Sequence, residues 1–320
     1  MARIVVVGSS QGGIQALNTL VGGLSPEFAA PVLIVQHIGA SQSLLPTILN
    51  DVDGERAAFG RHGETLRPCR IYVAPPDHHM LINDGRLELT RGPRENWARP
   101  AVDPLFRTAA HFYGPDAIGI VLSGRLNDGT SGLYEIKRQG GIAIVQTPVE
   151  AEAAGMPQSA LHNVAVDYCL PVAEMPRLLM RLTNEEAQRI NPGVTAMLQE
   201  KTIQEPTAQT CPECGGAVRE ENVGHLTRFR CHIGHVMTAE FLAATQLEKL
   251  NYYLSAAVRG LNERAALCRE ISAKHLKNGD LRVAEIWQRA AEEAQRRQES
   301  ARPLAEAEWL HPEAEVEPAE

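Results

Sequence analysis

The feature that most constrains this chain is a rhythm in its first 182 residues: short unbroken apolar runs, each closed by a turn and answered by a helical pattern. The first run, 3–7, ends in Gly8-Ser9-Ser10-Gln11-Gly12-Gly13, after which Ile14, Leu17 and Leu20 recur at helical spacing. A second, 31–36, ends at His37, and a third, 70–74, stops at Pro75-Pro76. Runs of this kind suit parallel strands covered on both faces, because neither face can be left polar. The rhythm breaks once, where His79–Asn83 and Arg86–Thr90 flank Asp84-Gly85, a turn pair that predicts an antiparallel hairpin. Helical sequence follows from Val102, with Asp103 expected as its N-cap and Pro104 as its first residue, which makes Asp103 structural rather than catalytic. Strand 117–123, loop 124–129, helix 131–138, strand 142–146, strand 166–170 and helix 173–182 complete the pattern. The expectation is an α/β fold: a doubly wound, mostly parallel sheet with an antiparallel hairpin excursion, binding its ligand beyond the carboxyl ends of the strands.

At 320 residues the chain exceeds what one core commonly serves, so a second, smaller unit is expected. Residues 183–209 are polar and carry Asn191-Pro192-Gly193, which reads as a linker. Residues 210–302 hold a cysteine cluster and then two helices: Leu247, Leu250, Leu254, Ala257 and Leu261 form the seam of one, and Ala284, Trp287, Ala291 and Ala294 one face of the next. They read as a small zinc-ribbon plus helical-hairpin unit. Residues 303–320 contain six Glu and no Lys or Arg, which predicts a disordered acidic tail.

Lys and Arg number 16 against 19 Asp and Glu in residues 1–195, and 15 against 20 in the remainder. Neither part has the positive excess that displaces phosphate counterions, so nucleic-acid binding is not expected. No stretch approaches the roughly 20 apolar residues of a membrane span, and the N-terminus runs into a strand rather than a signal peptide. The expected location is the cytoplasm.

Three strand exits carry Ser10, His37 and Asp128. A glycine-rich turn between strand and helix exposes its side chain while backbone N–H groups converge on the same point, which suits either a phosphate or the oxyanion of an acyl transfer. The turn does not match GxGxxG and lacks the lysine of a P-loop, and the second strand ends in a histidine where a dinucleotide fold places a ribose-binding carboxylate. A hydroxyl needs an imidazole to take its proton, and the imidazole needs an orienting carboxylate. Singly, each residue is ordinary: a turn serine, a strand-end histidine, an Asn127-Asp128-Gly129 turn. Jointly, the right three residue types on three exits favour catalysis.

The pieces Ile4-Val5-Val6-Val7-Gly8-Ser9-Ser10-Gln11-Gly12-Gly13, Val35-Gln36-His37, Tyr72-Val73-Ala74-Pro75, Arg99-Pro100-Ala101-Val102-Asp103, Leu122-Ser123-Gly124, Asn127-Asp128-Gly129 and Gly155-Met156-Pro157 resemble, in order, the catalytic domain of the chemotaxis protein-glutamate methylesterases (CheB). The resemblance spans roughly residues 3–182. It implies Ser10 as nucleophile, His37 as general base and Asp128 as its orienter, with no cofactor for catalysis. The implied substrates are glutamyl methyl esters on methylated chemoreceptors or related helical signalling proteins, with deamidation of glutamine there as a companion activity. Backbone donors near Gln11 are the expected oxyanion hole. Alternatives are an inactive regulatory protein of the same fold and a small-molecule carboxylesterase. The sequence departs from the family at Gln11, where threonine is usual, and at Arg125-Leu126, where Met-Gly is usual. Relatives usually carry an N-terminal phosphorylatable receiver domain; with the first strand beginning at residue 3, the expectation is a catalytic domain without that gate.

Cys211 and Cys214 form a CxxC turn followed by two glycines, and Cys231 and His235 supply further ligands after a gap of 16 residues. Four such ligands from two short loops suit a structural tetrahedral zinc, with His232 as the substitute for His235. A redox CxxC would sit at a strand-to-helix junction of a thioredoxin-like unit, which the sequence lacks, and packing as small hydrophobes is the remaining alternative. The acidic balance of this part points to protein contact rather than nucleic acid.

Overall fold

A computed structural model describes residues 3–38, 43–184, 206–224 and 226–309. The chain divides into two compact units, Met1–Phe241 and Leu242–Glu320.

In the first unit the strands are β1 (Ile4–Ser9), β2 (Val32–Gln36), β3 (Ala57–Phe59), β4 (Ile71–Val73), β5 (His79–Asn83), β6 (Arg86–Thr90), β7 (Ala117–Val121), β8 (Ile142–Gln146) and β9 (Tyr168–Leu170). The helices are α1 (Gly13–Gly22), α2 (Leu45–Asp53), α3 (Val102–Tyr113), α4 (Thr130–Arg138), α5 (Gly155–Asn163) and α6 (Met175–Asn184). Seven strands form one sheet in the order β3-β4-β2-β1-β7-β8-β9, every pairing parallel, while β5 and β6 stand apart as the antiparallel hairpin.

Every residue of β1, β2 and β7 is buried, because helices cover both faces. Val5 and Val7 point into a core with Leu17, Leu20, Leu49 and Leu179 from α1, α2 and α6. Ile4 and Val6 alternate to the other face, against Leu105, Phe106, Leu133 and Ile136 from α3 and α4. Strand order reverses at β1, whose neighbours are β2 on one side and β7 on the other. A crevice opens at such a switch point beyond the strand ends.

The expected fold class holds, with differences of detail. Ala101, not Asp103, is the N-cap residue of α3. Asp103 lies inside the first turn, and its Oδ1 accepts the N–H groups of Gly132 (2.7 Å) and Gly129 (3.1 Å), so it caps α4 instead of its own helix. Helix α2 and edge strand β3 fall in a stretch where the sequence pattern names no element.

Beyond α6, residues 185–205 lie outside the described residues, and with them most of the expected linker; Pro206 already begins a strand. A four-stranded antiparallel sheet follows, β10 (Pro206–Thr210), β11 (Ala217–Val223), β12 (Leu226–Cys231) and β13 (Val236–Thr238), in sequential order. It belongs to the first unit. Where the sequence groups residues 210–302 together, the compact units part at Phe241.

Helices α7 (Ala239–Lys277) and α8 (Leu281–Glu306) complete the chain. In the second unit the buried positions of α7 include Thr245, Ala265, Cys268 and Ser272, and those of α8 are Ala284, Ala291, Ala294 and Gln298. Ser272 Oγ donates to the Ala284 carbonyl at 2.7 Å. Of the expected seam, Leu247, Leu254 and Leu261 are half-buried, whereas Leu250 is 41% exposed and Ala257 is exposed; the fully buried positions further along α7 are small residues. Helix α8 runs through Pro303 to Glu306, so the first residues of the expected tail are helical; 310–320 lie outside the described residues.

Candidate active site

Parallel register places Ser9 opposite Gln36, so the next residues, Ser10 and His37, leave adjacent strand ends side by side. Gln36 fixes both exits. Its Oε1 accepts the Ser9 hydroxyl at 2.6 Å, and its Nε2 donates to the carbonyls of Ser10 (2.7 Å) and His37 (3.1 Å). Ser10 N–H reaches the Ser123 carbonyl at 2.9 Å, tying the serine turn to the exit of β7. Gly124 packs so closely there that a Cβ on it would lie 2.9 Å from Ser10 Cβ.

After Ser10 the chain turns through Gly12, whose φ of +73° is a conformation that glycine adopts without strain, and enters α1. The N–H groups of Gln11 and Gly12 donate to no acceptor among the described residues.

His37 Nε2 lies 2.6 Å from Asp128 Oδ2, with the imidazole 20% exposed and the carboxylate fully buried. Asp128 receives donors on both oxygens. Val102 N–H reaches Oδ2 at 2.7 Å, while Asn96 Nδ2 (2.9 Å), Gly129 N–H (3.0 Å) and Asp103 N–H (3.2 Å) reach Oδ1. Burial alone would raise this carboxyl, but the hydrogen bond and charge of His37, with Val102 and Asn96, outweigh it and hold the group below its ordinary value. An ionised Asp128 can only accept, so Nε2 carries a proton, and in the neutral imidazole the lone pair is on Nδ1. Among the described residues Ser10 and His37 share no hydrogen bond; their proximity rests on adjacent strand exits.

The second carboxyl, Asp103, is raised to about 7 by burial first and by the charge of Asp128 next. The two acids share donors: Asn96 Nδ2 also reaches Asp103 Oδ2 at 3.0 Å, and Gly129 N–H serves both. Asn96 is buried in a turn braced by the Glu95–Arg107 ion pair, with contacts of 2.7 and 2.9 Å. Sequence reading missed Gln36 and Asn96, whose importance lies in partners far along the chain.

In the small sheet, Cys211, Cys214, Cys231 and His235 bring four ligand atoms within 4.8 Å of one another. Cys214 and Cys231 Sγ are 3.7 Å apart, and His235 Nδ1 lies 3.4 Å from Cys231 Sγ and 3.6 Å from Cys211 Sγ. Tetrahedral zinc, with bonds of about 2.3 Å to sulfur and 2.0 Å to nitrogen, spaces its ligands about 3.8 and 3.5 Å apart. His235 Nε2 meets Glu213 at 3.0 Å, the outer carboxylate that commonly orients a metal-binding histidine. His232 stands outside this group and is exposed.

Residues 5–179 match the CheB methylesterase family. A protein of Leptospira interrogans named as a protein-glutamate methylesterase/protein-glutamine glutaminase is 38% identical over 187 residues, covering 58% of this chain and 97% of that protein. A protein-glutamate methylesterase/protein-glutamine glutaminase of Anaeromyxobacter dehalogenans is 39% identical over 185 residues, 57% of this chain and 53% of its own length. The crystal structure of the Thermotoga maritima CheB methylesterase catalytic domain superposes with a TM-score of 0.54 at 31% identity, covering 57% of this chain and 99% of that one. All three matches leave more than 40% of this chain unmatched. No described helix is long and apolar enough to cross a membrane.

Proposed function

This chain belongs to the CheB methylesterase family, and on that premise we propose that it hydrolyses glutamyl methyl esters on a methylated chemoreceptor or related helical signalling protein, and deamidates glutamine there, using Ser10, His37 and Asp128. The observation that carries the residue assignment is the 2.6 Å bond from His37 Nε2 to a buried, ionised Asp128, on the strand exit next to Ser10. Nδ1 of His37 takes the proton of the Ser10 hydroxyl as Oγ attacks the ester carbonyl. The N–H groups of Gln11 and Gly12 receive the oxyanion. Collapse expels methoxide, protonated by the imidazolium to methanol, and leaves an acyl-Ser10 ester. Water, deprotonated by His37, then releases the glutamate and restores the serine. With a glutamine substrate the same sequence releases ammonia. Asp128 holds the imidazole in the working tautomer and stabilises its charged form.

Cys211, Cys214, Cys231 and His235 would hold a structural zinc. With all four positions filled by the protein, the metal supplies folding free energy rather than a reaction site. The proposed location is the cytoplasm.

A fluorophosphonate tests the nucleophile. Mass spectrometry should find the label on Ser10 in the native protein and nowhere in the His37→Ala variant; a native protein that stays unlabelled, or is labelled elsewhere, refutes the assignment.

A further inference from the structure

We propose that the small sheet is a working part of the esterase site: Thr238 and Asn96 are positioning residues through which the strand leaving the Cys/His cluster sets the geometry of Asp128. The proposal rests on the reading of Asp128 as the orienting carboxylate. The family match ends at residue 179, so this connection is made by a part of the chain that it does not reach.

Two of the residues around Asp128 lead to β13: Asn96, which bonds its carboxylate, and Asn127, which precedes it in the chain. On one side, Asn96 gives its amide N–H groups to Asp128 and Asp103. The rest of Asn96 is gripped by β13. Its backbone N–H donates to the Val236 carbonyl at 2.8 Å, and its Oδ1 accepts the Thr238 N–H at 3.3 Å. Val236 N–H in turn reaches the Arg94 carbonyl at 3.3 Å. Asn96 and Trp97 both have positive φ, at 47° and 59°, a conformation unfavourable for residues with side chains unless external contacts impose it. β13 supplies those contacts to Asn96.

On the other side stands Asn127, the residue before the aspartate. The Thr238 hydroxyl donates to Asn127 Oδ1 at 2.9 Å and accepts the Phe241 N–H at 3.3 Å, which is the N-cap bond of α7. Asn127 Nδ2 donates to Glu240 at 2.7 Å. Both amides of this arrangement are thus oriented by residues 236–240. His235 directly precedes that segment, and the Cys231 N–H bonds the His235 carbonyl at 3.0 Å. A metal that fixes Cys231 and His235 fixes the start of β13; loss of the cluster frees β13, and with it the orientation of Asn96 and Asn127 beside Asp128.

The test uses the full chain and reads two quantities: steady-state kinetics on a methyl ester, and the low-field proton resonance of the His37 imidazole bonded to Asp128. Thr238→Val keeps the shape of the side chain and removes its hydrogen bonds. It should lower kcat about 10-fold with KM unchanged, and shift or broaden the imidazole resonance. Thr238→Ser should restore both. Glu240→Ala, at an exposed position, removes the acceptor of Asn127 Nδ2, should give a smaller fall of the same kind and serves if the valine variant does not fold. Stripping metal from the native protein with a chelator should reproduce the valine signature, and should add little in the valine variant itself. Native kcat and an unmoved resonance in Thr238→Val, or a resonance indifferent to the chelator, overturn the proposal. A native protein inactive on every ester tried would sink the functional reading alone, because the resonance reports the positioning with or without a substrate.

Discussion

Replacing Asp128 by asparagine isolates the role of a single charge. The carboxylate has a donor on every side, two at Oδ2 and three at Oδ1. An asparagine must turn its NH2 toward one set. Facing the Oδ1 set opposes the three donors from Asn96, Asp103 and Gly129; facing the Oδ2 set opposes only the Val102 N–H and an imidazole that can change tautomer. The second orientation wins. It strands the buried Val102 N–H, at a cost of about 1–3 kcal/mol, partly offset because the like charge beside Asp103 is gone. The variant should therefore fold, with Tm lowered by a few degrees at most. Its chemistry should fail. The imidazole must offer its Nε2 lone pair to the new amide, which moves the proton to Nδ1, the nitrogen that has to accept the serine proton. Wrong-tautomer imidazoles of this kind cost roughly 10⁴ in kcat, about 5 kcal/mol. KM should change little, since Asp128 is fully buried and out of a substrate's reach. The assay is methanol release under saturating and limiting ester, beside a thermal melt. A kcat within tenfold of the native value in a folded variant would refute the assigned role.

Gly124→Ala should lower both kcat and Tm, because the added Cβ would sit 2.1 Å from Met156 Sδ and 2.9 Å from Ser10 Cβ; native values of both would show that the serine turn yields freely. The native protein should carry about one equivalent of zinc, and Cys214→Ser should lose it together with the order of residues 206–238, read by elemental analysis and hydrogen exchange; metal-free protein prepared without chelators argues against the site. Asp103 has a pKa raised from 3.8 to about 7, so it favours the native state most when protonated, and that contribution drains away as pH rises from about 4 to about 7. Asp103→Asn should escape this loss: its stability relative to the native protein should improve by a few kcal/mol between pH 5 and pH 8, and a pH-independent difference would contradict the assignment.

The βα rhythm was legible because buried parallel strands are written as unbroken apolar runs, and the hairpin because Asp84-Gly85 dictates its turn. That Ser10, His37 and Asp128 lie beyond strand ends was legible because strand exits are read directly from that rhythm. The role of Asp103 was not, since its acceptors' partners, Gly129 and Gly132, lie 26 and 29 residues away and nothing local distinguishes capping its own helix from capping another. Asn96 was hidden for the same reason: its side chain joins Asp128, 32 residues on, to Thr238, 142 residues on. In α7, leucines at helical spacing suggested the packed seam, yet helical periodicity names an apolar face without saying which stretch of a 39-residue helix receives a partner. Alanine and serine are weak signals in sequence, yet Ala265 and Ser272 are among the buried positions of α7.

The most direct test of the central claim is methanol release from methyl-labelled receptor, measured for the native protein and for Ser10→Ala at matched concentration. The native protein should release methanol and regenerate free glutamate, while the folded alanine variant releases none above the uncatalysed background. Undiminished release by the Ser10→Ala variant, or none by the native protein on methylated receptor, would contradict the account.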